Sequence, residues 1–385
     1  MALHVVLGGL LALWALRYVV PRRGRRVAKL PAADEHVVIL GASTLDGLGA
    51  ALLQQYLLRG TEHLMIVGRR LDGLEQVRDR MLAQTAGRRS VRAHVEIVQA
   101  ELTSSADVAA LRDRLLQQWG RLDTLHVVFG VTSILPILGV ADVDPCGVNA
   151  SGAASTDVHP TRDGLDRIAT TVRQSSDGNL TGTAMVLGAL VPILQTTSAH
   201  PAVAVIGSVA GLVPAPTRAV YCATKASQHF LVRSIELECE SQAGTPVPGT
   251  QRRRARVPFL LVAPGPIQNS FVASYAVDAR TGPRDDREHA LDVHDVVRAT
   301  LARLDHAQWG TLVLPARAYV ASLLAQVNAT YVRRTYAGAA GLGAWRIACT
   351  TTSYAARASA RWAPRQGARP ARSGAGGGGA GTRQV

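Results

Sequence analysis

The residues best suited to proton transfer in this sequence are Tyr221 and Lys225, which lie four residues apart. On a helix that spacing places both side chains on one face, so the Lys225 ammonium would lower the pKa of the Tyr221 phenol. Ser208 lies thirteen residues before the tyrosine, at the end of an apolar run, and its hydroxyl would hydrogen-bond the same substrate oxygen. The three groups together fit the reduction of a carbonyl or the oxidation of an alcohol. A tyrosine and a lysine at this spacing also occur on ordinary helix surfaces, so the reaction requires a cofactor site elsewhere in the chain.

A glycine-rich turn after the first predicted strand indicates such a site. The run HVVILGAS has the continuous apolar character of a buried strand, and DGLGAALLQQYLLRG has apolar residues at helical spacing. The turn between them would let backbone amides and a helix N-terminus approach a pyrophosphate. The residues that we expect to bind the cofactor here are Gly41, Ser43, Gly47, Leu48 and Gly49. Plain turn chemistry is the alternative, but the turn opens an alternating pattern of strands and helices.

The residues after the second strand, HLMIVG, indicate which nicotinamide cofactor binds. An acidic residue there would bind the 2′-hydroxyl of the adenosine ribose, whereas Arg69 and Arg70 suit a 2′-phosphate. NADP(H) is therefore favoured over NAD(H). Two solvated arginines at a helix start are the alternative, but cations are disfavoured at helix N-termini unless an anion compensates them. Glu101 and Leu102 end the third strand, where they would contact the adenine.

Strands and helices alternate through most of the chain. We count six strands with intervening helices, which predicts an α/β fold, a doubly wound, parallel, Rossmann-like sheet in a single domain over residues 36–320. The site then lies at the carboxyl ends of the strands. Two segments interrupt the pattern. Residues 137–178 have little periodicity and are expected to be a partly disordered, low-complexity insertion, and residues 244–256 form a basic loop.

The net charge of +14 lies mainly outside this pattern. Basic residues cluster after the N-terminal apolar run, in the basic loop and in the C-terminal tail, and the remainder of the chain is close to neutral. We therefore expect no nucleic-acid partner. The four cysteines have neither metal-ligand spacing nor a disulfide pattern, so we expect no metal site and a reducing compartment. They are Cys146, Cys222, Cys239 and Cys349.

Both ends of the chain are expected to lie outside the domain. Residues 3–20 form an apolar run near the lower limit for spanning a bilayer, and PRRGRR follows it. We predict a membrane signal-anchor over residues 1–21 with the domain in the cytoplasm, because basic residues prefer the cytoplasmic side. The run TLVLPARAYVASLLAQVNATYVRR leads into an apolar extension over residues 321–356 and favours an interfacial helix beside a lipophilic substrate. Residues 357–385 are expected to be a disordered basic tail.

Five separated motifs occur in the order and approximate spacing of the short-chain dehydrogenase/reductase family. They are the glycine-rich turn, the helix with Asn179, Ser208, the Tyr221 and Lys225 pair, and Pro264-Gly265-Pro266-Ile267. The chain resembles this family over about residues 36–315. Within this family it resembles the membrane-associated dehydrogenase/reductase member seven type, because the predicted N-terminal anchor occurs together with Tyr-Cys-Ala-Thr-Lys and Pro-Gly-Pro-Ile-Gln-Asn-Ser.

The resemblance implies a role for each matched residue. Tyr221 would exchange a proton with the substrate oxygen, Lys225 would also hold the nicotinamide ribose, and Ser208 would orient the substrate carbonyl. Asn179 would support a water that relays protons to Lys225. The residues that would border the cofactor are Gly130, Pro264, Gly265 and Ile267. The resemblance also implies a lipophilic ketone or alcohol as substrate, such as a steroid, retinoid or keto-lipid, the endoplasmic reticulum membrane, and a homodimer.

Departures from the family pattern leave a second hypothesis open. The turn has five residues between Gly41 and Gly47 where the family has three, and Val127-Val128-Phe129-Gly130 replaces the family's Asn-Asn-Ala-Gly. Glu101 and Asn269 stand where the family has an aspartate and a threonine. The leading hypothesis is a membrane-anchored, NADP(H)-dependent oxidoreductase. The alternative is a membrane-tethered nucleotide-binding or scaffold protein that kept the fold and lost turnover.

Overall fold

The computed structural model describes residues 26–87, 93–145, 149–153, 155, 157–215, 217–278, 290–316 and 318. Within them, seven strands form one sheet in which all neighbours are parallel. They are β1 (His36–Leu40), β2 (His63–Gly68), β3 (His94–Gln99), β4 (Thr124–Val127), β5 (Ala202–Ile206), β6 (Phe259–Pro264) and β7 (Gly310–Leu314).

The strand order β3-β2-β1-β4-β5-β6-β7 confirms the predicted doubly wound parallel sheet. The order reverses between β1 and β4, and in such sheets ligands bind outside the carboxyl ends of the strands at this switch point. The predicted number of six strands is wrong, because β7 adds a seventh. Its short run merges in sequence with the apolar residues that follow Pro315, so the pattern gives no boundary between strand and extension.

Helices cover both faces of the sheet, which explains why the strands are apolar throughout rather than alternating. The helices are α1 (Leu48–Arg59), α2 (Leu71–Thr85), α3 (Ser105–Gln118), α4 (Ile137–Val140), α5 (Arg162–Ser176), α6 (Gly182–Thr197), α7 (Ala219–Gln242), α8 (Phe271–Tyr275) and α9 (Val293–Asp305). In β1, Val37 and Ile39 join the cluster beneath α1, α2 and α9, whereas Val38 and Leu40 join the cluster beneath α3, α6 and α7.

The prediction of a partly disordered, low-complexity segment over residues 137–178 is wrong for its second half. Residues Arg162–Ser176 form α5, which continues through a π-helical turn at Asp177–Thr181 into α6. The buried positions of α5 hold small or polar residues, so its inner face has no hydrophobic period. They are Gly164, Thr171 and Ser175.

Two loops at the carboxyl edge of the sheet pair with each other. The Thr132 amide donates to the Tyr275 carbonyl at 2.9 Å, and the Val277 amide donates to the Thr132 carbonyl at 2.9 Å. The Asp278 carboxylate accepts hydrogen bonds from three groups of the same strip, namely Ser133 Oγ and the amides of Ile134 and Leu135. The loop after β4 and the loop after β6 therefore form one cover beside the switch point.

The predicted signal-anchor over residues 1–21, the extension over 321–356 and the tail over 357–385 lie outside the described residues. Within the described part of the chain, one helix, Arg162–Thr197, is long and apolar enough to cross a membrane. Half of its most apolar stretch is buried inside the protein, which is what a core helix shows.

Candidate active site

Tyr221 and Ser208 meet at the carboxyl end of β5. Ser208 follows this strand and caps the short helical turn Val209–Gly211, and Tyr221 lies in the first turn of α7. The Ser208 hydroxyl is close enough to the Tyr221 phenol to lower its pKa. The Ser208 Oγ also accepts a hydrogen bond from the Ala210 amide at 3.1 Å, which leaves the serine proton for another acceptor. A substrate oxygen placed beside both hydroxyls would therefore meet two donors.

The Tyr221 phenol holds its proton at neutral pH. Burial raises the pKa of Tyr221 above its ordinary value of 10.0. The neighbouring Ser208 hydroxyl and the positive charge of Arg218 act in the opposite direction on this pKa. Arg218 precedes α7, and its guanidinium donates to Thr132 Oγ1 at 3.3 Å, so it links the cover to the tyrosine. The protonated phenol is the form that donates to a carbonyl oxygen.

Lys225 lies on the same face of α7 and is only 3% exposed. Its Nζ donates to the Ile206 carbonyl at 3.2 Å and to Gln228 Oε1 at 2.9 Å. Burial lowers the pKa of Lys225 to about 7, because both partners are uncharged. Arg218 is thus the cation that opposes the rise in the Tyr221 pKa. The expected lowering of this pKa by Lys225 stays a prediction.

Asn179 lies in the π-helical turn between α5 and α6 and is fully buried. Its Oδ1 accepts from the Val131 amide at 2.9 Å, and its Nδ2 donates to the Val131 carbonyl and to Thr224 Oγ1, each at 3.0 Å. A Cβ on Gly130 would lie 2.8 Å from Asn179 Oδ1 and 3.4 Å from Lys225 Nζ. The absence of a side chain at residue 130 is what lets the asparagine and the lysine approach the loop after β4.

Two residues that the sequence analysis did not single out complete this buried network. Gln228 accepts from Lys225, and its Nε2 donates to Thr183 Oγ1 at 2.9 Å. Thr183 in turn donates to the Asn179 carbonyl at 2.8 Å. Gln228 is three residues after Lys225, so its helical spacing is the signal that could have identified it.

The glycine-rich turn joins β1 to α1. Gly41 has φ +98°, and a Cβ there would lie 2.6 Å from the Phe129 amide nitrogen, so a side chain is excluded on both counts. Gly47 caps α1, and Leu48 and Gly49 begin it. A Cβ on Gly49 would lie 2.5 Å from the Gly41 carbonyl oxygen, so this glycine permits the close packing of helix and strand.

The two extra residues of the turn are held by the segment around α8. The Asp46 carboxylate accepts from the Ser270 amide and from Ser270 Oγ, each at 2.7 Å. Thr44 Oγ1 and the Tyr275 hydroxyl share a hydrogen bond at 2.8 Å. The expansion is therefore ordered by contacts to residues more than 200 positions away in the sequence.

Arg69 and Arg70 follow β2 at the same edge. The Arg70 Nη2 donates to the Ser43 carbonyl at 3.0 Å and to the Tyr275 hydroxyl at 2.7 Å. Arg69 Nη1 lies 3.4 Å from a carboxylate oxygen of Glu101, which follows β3. Both arginine side chains are exposed enough to meet a ligand, but Glu101 offsets one of the two charges. Leu102 beside it is buried.

The Pro264 to Ile267 segment begins at the end of β6. The Gly265 amide donates to the Leu314 carbonyl at 2.7 Å, which fixes the segment against β7. Ile267 forms an isolated parallel bridge with Leu291. The segment therefore leaves the carboxyl edge next to β5, where Ser208 lies.

The residues at this edge fit a nicotinamide dinucleotide. Gly41 and Gly49 let β1, α1 and the loop after β4 pack closely at the turn, two arginines follow β2, and a buried lysine lies on the same helix as the tyrosine. No group of three or more histidine, cysteine, aspartate or glutamate side chains that could hold a metal ion occurs among the described residues.

The short chain dehydrogenase family model matches residues 35–244, more than half of the chain. The chain belongs to the short chain dehydrogenase family. It is therefore an oxidoreductase of a class that uses a nicotinamide dinucleotide, and the match includes the glycine-rich turn, Asn179, Ser208, Tyr221 and Lys225. The Pro264 to Ile267 segment follows the matched region. A comparison with curated proteins finds no match.

Solved structures of short chain dehydrogenases share the fold. An alcohol dehydrogenase from the archaeon Thermococcus sibiricus, complexed with 5-hydroxy-NADP, is 17% identical, with a TM-score of 0.53 over 73% of this chain and 95% of the other. A short chain dehydrogenase/reductase from Burkholderia phymatum, in complex with NAD, is 16% identical, with a TM-score of 0.56 over 76% of this chain and 92% of the other. A short-chain dehydrogenase from Streptomyces avermitilis is 17% identical, with a TM-score of 0.54 over 80% of this chain and 98% of the other.

Proposed function

We propose that this short chain dehydrogenase is a membrane-anchored, NADP(H)-dependent enzyme that reduces a lipophilic ketone such as a steroid, retinoid or long-chain keto-lipid. The observation that carries the proposal is that Tyr221, next to Ser208 at the carboxyl end of β5, lies on the same helix face as the buried Lys225. This arrangement supplies a protonated acid and a second donor for one substrate oxygen. The N-terminal apolar run, together with the resemblance to the member seven type, supports the anchor and the endoplasmic reticulum.

The chain's residues act on the substrate oxygen. NADPH, when bound, supplies the hydride that reduces the carbonyl carbon. Ser208 donates a hydrogen bond to the oxygen and fixes its position, and Tyr221 donates its proton as negative charge develops there. Because burial raises the pKa of Tyr221, the phenol is protonated at neutral pH, which favours the reductive direction.

The tyrosine must regain a proton after each turnover. Lys225 is the nearest buried ammonium on the same helix face, and its pKa of about 7 lets it release and take up a proton near neutral pH. Asn179 and Gln228 hold the polar groups around it. We infer that protons return through this network, with Asn179 supporting a water at the loop after β4.

Arg69 and Arg70 support the preference for NADP(H) over NAD(H). A 2′-phosphate beside the end of β2 would compete with Glu101 for Arg69 and with the Tyr275 hydroxyl for Arg70. A phosphate carries more charge than either partner, so the exchange is favourable. With NAD(H) the arginines would keep their present partners and contribute nothing to cofactor affinity.

An anchor would constrain how the substrate arrives. Arg26 is buried, pairs with Glu35 at 2.8 Å and donates to the His200 carbonyl at 3.0 Å, so it lies at the amino-terminal edge of the sheet. Four residues separate it from the predicted anchor, and the five Cα-to-Cα steps from residue 21 to Arg26 span at most about 18 Å. The candidate site, at the opposite edge, would face away from the bilayer. The extension over residues 321–356 is our candidate for bringing a lipophilic substrate to the cover, where Ile137 and Leu138 are exposed.

We also propose a homodimer. Phe230 and Leu237 are seven residues apart on one face of α7, and they are 79% and 67% exposed. Leu165 and Val172 are exposed with the same spacing on α5, which contacts α7. Exposed apolar side chains on two neighbouring helices are suited to a self-complementary contact between two copies.

The test is the oxidation of NADPH by the purified full chain with a steroid ketone, a retinaldehyde and a long-chain 3-keto lipid. Tyr221→Phe should abolish turnover while NADPH still binds. Tyr275→Phe is the matched control, because it removes a phenol hydroxyl that bonds Thr44 of the glycine-rich turn. It should change the KM for NADPH rather than kcat. Turnover that survives Tyr221→Phe unchanged would contradict the mechanism.

One observation favours a second function, a tethered protein of this fold that binds partners without turnover. The Asp46 carboxylate lies within the turn that must hold the pyrophosphate, next to the N-terminus of α1. A negative charge there opposes an anionic ligand. Calorimetry with NADPH separates the two functions, since micromolar binding supports the enzyme and no binding supports the scaffold.

A further inference from the structure

His229 is a buried residue on α7 that the mechanism above does not use. It lies four residues after Lys225, is 5% exposed, and points its ring toward the turn after β5. Its Nε2 accepts a hydrogen bond from the Ser208 amide at 3.2 Å. A ring nitrogen accepts only when it carries no proton, so the neutral ring holds its proton on Nδ1. Nδ1 is buried and has no hydrogen-bond partner among the described residues.

The turn around Ser208 is shaped to receive this ring. A Cβ on Gly207 would lie 2.2 Å from His229 Nε2, and a Cβ on Gly211 would lie 2.6 Å from His229 Cε1. Contacts below 3.0 Å require the ring or the backbone to move. The glycines on both sides of the Ser208 turn therefore make the space that the imidazole occupies.

Ser208 is consequently held at two points. His229 accepts from its amide, and the Ala210 amide donates to its Oγ. We propose that His229 is a positioning residue of the active site, which fixes the Ser208 backbone so that the serine hydroxyl faces Tyr221 and the substrate carbonyl. The proposal rests on the proposed reduction of a carbonyl. It adds a residue that touches neither substrate nor cofactor.

The electrostatic surroundings keep the ring in its accepting form. The pKa of His229 is lowered to about 3, mainly by burial and also by the charges of Lys225 and Arg233. A purely structural role explains the position less well, because a leucine would fill the space without burying an unpartnered N–H. What the imidazole adds over an apolar side chain is the acceptor for the Ser208 amide.

The kinetic test compares two substitutions of His229 with the carbonyl panel described above. His229→Leu removes the acceptor, and we expect a kcat about 10-fold to 100-fold lower with an unchanged KM for NADPH, as a displaced donor costs in other active sites. His229→Gln keeps an acceptor oxygen and should recover most of that loss. His126→Gln is the matched control, since His126 is equally buried but bonds Tyr56 away from the site, and its kcat should stay at the wild-type value. A kcat for His229→Leu within twofold of wild type would overturn the proposal.

A double-mutant cycle tests the fit between ring and glycine. Gly207→Ala should lower kcat in the wild-type chain, because its Cβ displaces the imidazole. In a His229→Ala background the same substitution should have little further effect, because the space is free. Equal effects of Gly207→Ala in both backgrounds would contradict the coupling.

A measurement on the cofactor-free chain separates this proposal from the proposed function. In ¹⁵N spectra of the histidine rings of the wild-type chain, the signals that disappear in His229→Gln are assigned to His229. These signals should show a protonated Nδ1 and an unprotonated Nε2. The Ser208 amide should also exchange faster in His229→Leu than in wild type. A protonated Nε2 would refute the hydrogen bond. If no carbonyl in the panel is turned over, the proposed function fails, while these signals still decide whether His229 holds Ser208.

Discussion

The buried lysine gives the sharpest prediction about this molecule: Lys225→Met should inactivate the enzyme and stabilise its cofactor-free fold at pH 7. The pKa of Lys225 falls from 10.5 to about 7 on burial. At about 1.4 kcal/mol per pH unit, holding the charged lysine in the folded state costs about 5 kcal/mol at pH 7. Methionine fills a similar volume without this cost.

The substitution also removes two hydrogen bonds. The Ile206 carbonyl and Gln228 Oε1 lose their donor, and each buried acceptor left unpaired costs about 1–2 kcal/mol. With about 3 kcal/mol lost against about 5 kcal/mol gained, Lys225→Met should be more stable than wild type by about 2 kcal/mol at pH 7.

The sign of this difference should reverse at higher pH. Between pH 7 and 10.5 the unfolded chain binds the Lys225 proton and the folded chain does not, so wild-type stability rises with pH in this window. At pH 9.5 only about 1.4 kcal/mol of the cost remains. The lost hydrogen bonds then dominate, and Lys225→Met should be less stable than wild type by about 2 kcal/mol.

Urea unfolding without cofactor at pH 7 and pH 9.5 measures both differences. The chain contains only two lysines, so Lys29→Met is the matched control. Lys29 is exposed, and its substitution should give the same small change at both pH values. With ¹³Cε-labelled lysine, two signals report the two pKa values directly. A stability difference that is equal at both pH values, or a Lys225 signal that titrates above pH 9, would refute the reasoning.

Three further predictions concern other parts of the molecule. Burial lowers the pKa of His126 to about 3, so this group should lower the free energy of unfolding by about 2 kcal/mol between pH 6.5 and pH 5. Urea unfolding should show this loss in wild type and not in His126→Gln. Arg69→Ala and Arg70→Ala should each raise the Kd for NADPH about 10-fold in fluorescence titrations and leave the Kd for NADH unchanged. Arg78→Ala is the control and should change neither Kd. Equal effects on both cofactors would contradict the 2′-phosphate assignment. Phe230→Glu should convert a dimer into a monomer in sedimentation velocity, whereas Leu116→Glu on α3 should not, and a wild-type monomer would refute the dimer.

The sheet could be predicted from the sequence because each central strand is a short, continuous apolar run between turn residues. Both faces of these strands are buried, so the run itself carries the signal. Helix α5 does not follow this rule, because its buried positions Gly164, Thr171 and Ser175 are small or polar whereas its apolar Leu165 and Val172 are exposed. Strand β7 could not be recognised as a separate strand, because apolar residues continue in the sequence beyond its end.

The placement of Tyr221 and Lys225 side by side could be predicted because their relation is local. Tyr221 and Lys225 lie on one helix, and the spacing alone places them on one face. The contacts that support them are not local. His229 bonds an amide 21 residues earlier in the chain, and Asp46 bonds Ser270, 224 residues later. No period or spacing in a single sequence encodes such pairs, so they appear only once the sheet brings the loops together.

The same contacts change how the long glycine-rich turn should be understood. From sequence it appeared as a weakness at the pyrophosphate, because two residues are added. In the structure Thr44 and Asp46 of this turn are hydrogen-bonded to Tyr275 and Ser270. Residues 275–277 pair in turn with Thr132 in the cover over the site. The turn that faces the cofactor and the loops that border the substrate are thus joined by continuous hydrogen bonds. Arg70 and Thr44 both bond the Tyr275 hydroxyl, so the long turn is supported by the same segment that pairs with the cover.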